Sequence, residues 1–153
     1  MEKLDEVDLK ILRILQNDSK KTTKEIAEML NLTASPVYER TRRLEKKGYI
    51  KGYVALLDKK LINRPVIAIC MVSLRYHDEG FIDKFDRQIR ALSEVQECYH
   101  MAGKVDFFLK INLESLESYH EIVRLKLSKI ENIGVLETYF VLKEIYHSTE
   151  YFI

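Results

Sequence analysis

Arg40, Arg42, Arg43 and Lys46 fall within seven residues, inside the stretch TTKEIAEMLNLTASPVYERTRRLEKKGYIKG from Thr22 to Gly52. Guanidinium and ammonium groups at this density suit one chemistry above others: charge-assisted hydrogen bonding to phosphate oxygens. Wound as a helix, the segment turns Ser35, Glu39, Arg42, Arg43 and Lys46 outward and Val37, Thr41 and Leu44 inward. It can therefore rest on a small core while lying in a phosphate-lined groove. Ser35, Pro36 and Glu39 stand near the end that would approach base edges, and Thr33, at the helix start, is a further candidate DNA contact. Arg40, Arg42, Arg43 and Lys46 would mainly hold phosphates, although one arginine could pair with a guanine. The competing reading is a solvated charged helix in which Arg40 and Arg43 both pair with Glu39. Tyr38 flanks the apolar stripe and reads as packing.

The formal net charge of +1 over 153 residues conceals this cluster. Residues 1–52 carry 12 Lys/Arg against 9 Asp/Glu, a net of +3, whereas residues 53–153 carry 13 against 15, a net of −2. The positive charge is local, as a groove-binding face requires. Hydrophobic content of 46% and charged content of 32% describe a globular protein rather than a disordered one. No apolar run approaches the roughly 20 residues that cross a bilayer. The acidic start, MEKLDEVD, lacks the basic and apolar regions of a signal peptide, which points to a cytoplasmic protein. Cys70 and Cys98 lie in apolar strand-like contexts and are expected to be buried free thiols.

Three helices must position the cations. Asp5 caps the first, with Asp8 at its third position and Leu4 stapled onto Leu9; both acids favour the positive end of the helix dipole. Its apolar stripe of Leu9, Ile11, Leu12, Ile14 and Leu15 runs to about Gln16. Thr22-Thr23-Lys24-Glu25 has the form of a capping box and opens a second helix that ends near Asn31. Thr33 caps the third, Pro36 sits in its first turn, and Gly48 follows Lys46-Lys47 at its end. Two short helices joined this tightly make a helix-turn-helix unit. Tyr49–Leu56 is strand-like and predicts a wing or hinge. Residues 1–52 are thus one domain, 53–64 a strand and linker, and 65–153 a second domain.

The second domain has another texture. Val66–Leu74 predicts a strand, Gly80–Leu92 a helix, and Val95–Ala102 and Asp106–Leu113 two strands joined at Gly103-Lys104. Ser115 caps a second helix, with Leu116, Tyr119, Ile122 or Val123, Leu127 and Ile130 inward, and Val135–His147 predicts a long last strand. The order β-α-β-β-α-β is ferredoxin-like, with both helices on one face of an antiparallel sheet, so the fold class is α+β. A sheet with one wet face should alternate apolar and polar residues. Val66–Val72 and Tyr139–Leu142 are apolar on both faces. The face away from the helices therefore needs a cover, and a second copy of the chain is expected to supply it in a homodimer.

Four segments, LDEVDLKILRILQND, ERTRRLEKKGYIKGYVALL, VQECYHMAGKVDFFLK and TYFVLKEI, closely resemble the Lrp/AsnC (feast/famine) family of transcription regulators in order and spacing. The resemblance implies a winged helix-turn-helix domain and a RAM-type regulatory domain that dimerises, assembles further into tetramers or octamers, and often binds an amino acid between dimers. It makes double-stranded DNA and a small-molecule effector the partners. In that light Asp106 could receive an α-ammonium group and the backbone N–H groups around Gly103-Lys104 a carboxylate. His100, Met101, Thr138 and Phe140 could line a side-chain pocket. Otherwise Asp106 fixes the hairpin and the others pack a subunit interface. The chain departs from the family at Val105, where Gly-x-aromatic-Asp is usual.

His77, His100, His120 and His147 form no i,i+4 pair and meet no cysteine cluster, so no metal site is expected. There is no Gly-x-Ser-x-Gly elbow, Walker loop or dinucleotide fingerprint, and no cofactor or catalysis is predicted. Glu114, Glu117 and Glu121 read as a solvated face. The leading expectation is a sequence-specific DNA-binding regulator responding to an amino acid. The alternatives are a ligand-sensing oligomer that does not bind DNA and a small ferredoxin-like enzyme.

Overall fold

The computed structural model describes residues 3–153, which fall into two compact units. One comprises the chain up to Leu56 together with Tyr146–Ile153, and the other is Leu57–Ile145. The last eight residues thus belong with the helical unit rather than with the second domain.

The helical unit contains α1 (Glu6–Asn17), α2 (Thr23–Leu30) and α3 (Ala34–Lys46). Asp5 caps α1 in a reciprocal capping box with Asp8, and Thr22 and Glu25 form the same device on α2. Asn31 ends α2 in the left-handed conformation at φ 54°, and Gly48 (φ 76°) follows α3. The core is Ile11, Leu15, Ile26, Ala27, Val37 and Leu44, with Leu4, Val7, Tyr49 and Ile50 packed at its margin. Tyr49–Leu56 is not a strand. The Leu44 carbonyl accepts from Tyr49 and Ile50 N–H, which folds the chain back onto the core. Beyond that point no neighbouring strand among the described residues offers a ladder, and an isolated strand cannot pair its backbone groups.

The second unit runs β1 (Val66–Leu74), α4 (Glu79–Arg90), β2 (Val95–His100), β3 (Phe107–Leu113), α5 (Leu116–Leu125), a 3₁₀ turn (Leu127–Lys129) and β4 (Ile133–Phe140). The antiparallel sheet has the order β2-β3-β1-β4, the ferredoxin-like arrangement. Ala68, Cys70, Val72 and Leu74 alternate onto the helix side with Phe107, Leu109, Ile111 and Leu113, against Phe85, Ile89, Ile122, Leu127 and Ile130. Leu116, expected inward, is half exposed, and Cys98, expected buried, is exposed because β2 is an edge strand. β4 stops at Phe140 instead of His147. Its partner β1 begins at Val66, after Pro65, and the last bond runs from Val141 N–H to the Ile67 carbonyl. No helix among the described residues is long and apolar enough to cross a membrane.

Candidate nucleic-acid interface and effector hairpin

Helical spacing divides the polar residues of α3 into two rows. Ser35, Glu39, Arg42 and Lys46 are exposed and lie along the outer row. Arg40 and Arg43 lie along a flank and are half-buried against the start of α1. Arg40 Nη1 donates to Asp5 Oδ2 at 2.5 Å and to Asp8 Oδ1 at 2.8 Å. Arg43 Nη2 donates to Asp8 Oδ1 at 2.8 Å and Oδ2 at 2.6 Å. Their acidic partners are therefore on α1, not Glu39 as the alternative reading supposed. Asp8 is 2% exposed, and a carboxylate so buried requires this many donors. The Asp8 backbone N–H and then Arg40 hold the Asp5 carboxyl below the usual carboxylate range. The hydrogen bonds that Arg40 donates to Asp5 and Asp8 in turn raise its guanidinium pKa.

Arg42 and Lys46 carry no ion pair among the described residues; Arg42 reaches only the Tyr38 hydroxyl, at 3.5 Å. Tyr38 is 53% exposed rather than packed. Thr33 occupies the N-cap position with an extended backbone, but its side chain makes no cap bond. Pro36 is half-buried in the first turn. Between α3 and the start of α2 lies an open crevice of about 440 Å³ that brings Lys21, Thr23, Tyr38 and Arg42 together. Tyr53 closes one side through a 2.8 Å bond to Glu45, and burial together with that carboxylate pushes its phenol up to about 12. Lys21, Thr23 and Tyr38 were not among the sequence candidates. The capping box at Thr22 was the available signal, because it locates a helix N-terminus whose free N–H groups favour anions.

In the second unit the hairpin residues are committed to one another. Asp106 Oδ2 accepts the Leu74 N–H at 2.7 Å, and His77 Nε2 lies 3.0 and 3.2 Å from the two carboxylate oxygens. The Asp106 N–H reaches the Val72 carbonyl, and its own carbonyl accepts from Met101 N–H. Asp106 thus ties the β2–β3 hairpin to the end of β1. His77 lies 29 residues before Asp106, so the hairpin pattern alone does not bring it to the site. Gly103 and Lys104 are exposed at the turn.

The other effector candidates do not share one pocket within a chain. His100 and Met101 lie at or beside β2, and Thr138 and Phe140 lie on β4, the opposite edge of the sheet with β3 and β1 between. His100 stacks on Phe107 at 4.8 Å. Thr138 is hydrogen-bonded to Tyr119 and lies 3.5 Å from the Cys70 sulfur, while Phe140 meets Tyr119 edge-on at 5.1 Å. Sequence order suggested proximity that strand order removes.

A helix-turn-helix unit with an exposed basic row, followed by a ferredoxin-like unit, defines a DNA-binding protein with a separate regulatory part. Residues 4–51 match the winged helix-turn-helix DNA-binding family and residues 67–151 the Lrp/AsnC ligand binding domain. The chain belongs to the Lrp/AsnC family of transcriptional regulators. It is 32% identical to the leucine-responsive regulatory protein of Haemophilus influenzae, over 93% of this chain and 86% of that one. A transcriptional regulator from Neisseria meningitidis, solved as its L-Met complex, superposes with a TM-score of 0.91 at 31% identity, over 96% and 95% of the two chains. An AsnC family transcriptional regulator from Agrobacterium tumefaciens gives 0.92 at 30% identity, over 97% and 96%. The match across residues 4–51 disfavours a sensing protein without DNA binding, and these relatives are regulators rather than enzymes.

Proposed function

We propose that α3 docks in the major groove of double-stranded DNA with Arg42 and Lys46 on phosphates and Ser35, Pro36 and Glu39 toward base edges. Arg40 and Arg43 set the angle of α3 on α1 rather than neutralising phosphate. Thr33 marks the helix start, where backbone N–H groups rather than its hydroxyl face the DNA. Lys21, Thr23 and Tyr38 extend the phosphate track across the crevice. The observation that carries this division is the Asp8 cage: it engages two of the four cations and leaves the outer row open. The test is a salt titration of binding to a duplex selected from a random-sequence library. Arg42→Ala plus Lys46→Ala should flatten the slope of log affinity against log salt by about two for each bound α3, because each lost phosphate contact releases about one counterion fewer. An unchanged slope would overturn the docking.

The regulatory unit is proposed to bind an amino acid where subunits meet, since the Neisseria relative was solved with L-Met. Asp106 would receive the ammonium group after yielding its contact with His77, and Gly103 and Lys104 N–H groups the carboxylate. His100 and Met101 of one subunit would face Thr138 and Phe140 of another, because a single sheet holds them apart. A homodimer, assembling further into tetramers or octamers, supplies that juxtaposition. It also places two copies of α3 on half-sites separated by about one helical turn or a multiple. A thermal-shift panel of amino acids tests the effector. Asp106→Asn keeps an acceptor for the Leu74 N–H and removes the anion, so it should abolish the shift while preserving the fold.

A further inference from the structure

The helical unit has a part that no helix motif anticipates: the stretch Tyr146–Ile153, which follows the regulatory sheet yet belongs with α1–α3. Arg13, Gln16 and Asn17 lie on one face of α1 at i, i+3 and i+4 spacing, and all three bond to this stretch. The Gln16 amide is the centre of the contact. Its nitrogen donates to the Tyr151 carbonyl at 2.8 Å, and its oxygen accepts the Tyr151 N–H at 3.0 Å. A neighbouring strand would offer the same pair of groups. Asn17 Nδ2 donates to Glu150 Oε1 at 3.2 Å, and Arg13 Nε donates to the Ile153 carbonyl. The Glu150 N–H turns back to Ser148 Oγ at 3.0 Å, shaping the approach. Tyr151 and Phe152 keep their rings in solvent, so polar groups and not apolar burial hold the segment. Exposed hydrogen bonds contribute little each, and such a seat can be vacated.

We propose that the Arg13–Gln16–Asn17 face of α1 is a docking seat for the chain's own Glu150–Ile153, and that its occupancy tunes DNA affinity. The first half of α1 carries Asp8, which grips Arg40 and Arg43 of α3; the second half grips the segment. α1 is therefore the shared support of the DNA-reading helix and the strap. The strap is continuous with β4, an edge strand, through residues 141–149 that form neither helix nor strand. Whatever engages β4 thereby has a covalent route to the helix that orients α3. The tuning rests on α3 being the DNA-reading helix; the docking does not.

Amide hydrogen exchange on the full chain reads the docking directly. The Tyr151 N–H should be protected, and Gln16→Ala should remove about tenfold of that protection while α1 amides stay slow. Affinity for the selected duplex should fall about threefold or more at fixed salt, with the salt slope unchanged. A chain ending at His147 leaves α1 untouched and should show the same loss, reversed by a peptide spanning residues 146–153. This second variant decides the matter if Gln16→Ala destabilises α1. An unprotected Tyr151 amide in the full chain overturns the docking. Protection that rises with protein concentration overturns an intrachain strap by placing a second copy's segment in the seat. Affinity unchanged on vacating the seat overturns the tuning. If the full chain binds no duplex while its Tyr151 amide is protected, the DNA-docking reading fails and the seat stands.

Discussion

Asp8 is an ionisable residue in the most buried class of the helical unit, and its carboxylate takes hydrogen bonds from two arginines and a backbone N–H. Removing one member of such a cluster leaves the others desolvated without compensation. Asp8→Ala should therefore destabilise the unit by about 2–3 kcal/mol, below the range for fully buried pairs because both arginines retain some solvent. Urea denaturation followed by helical signal measures it. Arg42→Ala should leave that midpoint in place yet lower duplex affinity and reduce the salt slope by about one for each bound α3. Arg43→Ala should do the reverse, lowering the midpoint with the slope nearly intact. The sequence displayed all four cations and their helical spacing. It could not display which acids meet them, because Asp8 and Arg43 are 35 residues apart and come together only through the packing of α1 on α3.

At the scale of elements, local chemistry was legible wherever the decisive partner lay within one turn. Both capping boxes join residues three apart, and Gly48 follows α3 with a positive φ that a side chain resists. Gly48→Val should cost the helical unit about 1–3 kcal/mol, read as a lowered thermal midpoint, although nothing obstructs an added Cβ. Elements that depend on a neighbour were less legible. Tyr49–Leu56 has strand composition but no partner strand among the described residues, and the far end of the predicted last strand runs past the start of β1. In the regulatory unit Lys126 bonds Glu94 and holds its carboxyl below the ordinary value of 4.5. A depressed carboxylate contributes stability above its unfolded pKa and loses it as pH falls through the folded one. The stability advantage of the wild type over Glu94→Gln should thus be present near neutrality and shrink as the solution is acidified below 4.5. Paired urea titrations across that range check the sign.

At the scale of the molecule, the face of the sheet away from α4 and α5 carries Ile69, Met71, Phe108, Val135 and Tyr139, with the buried Ile67 at its end. Of these, Val135 and Tyr139 are more than half exposed. A second copy covering this face would remove apolar area from water at about 25 cal/mol per Å². Ile69→Asp plus Met71→Lys should convert a dimer to a monomer in sedimentation velocity, with the helix-side core and the near-ultraviolet signal of Phe85 and Phe107 preserved. A wild-type monomer at micromolar concentration would remove the basis for both the interfacial effector pocket and the paired half-sites. The apolar character of the face was visible as a failure of strand alternation. The wide separation of β2 from β4 was not, since strand order depends on pairings between distant segments.

The sequence by itself determined the three helices, the ferredoxin-like order, the family and the outward basic row, because caps, glycine stops and side-chain periodicity act over a few residues. The tertiary structure decided which cations of α3 are held by acids of α1, which residues gather around Asp106 at the β2–β3 hairpin, and that Glu150–Ile153 rests on α1. Each of those depends on groups brought together from tens of residues or more than a hundred apart. Local spacing cannot encode such contacts; the packing of helices and the pairing of strands create them.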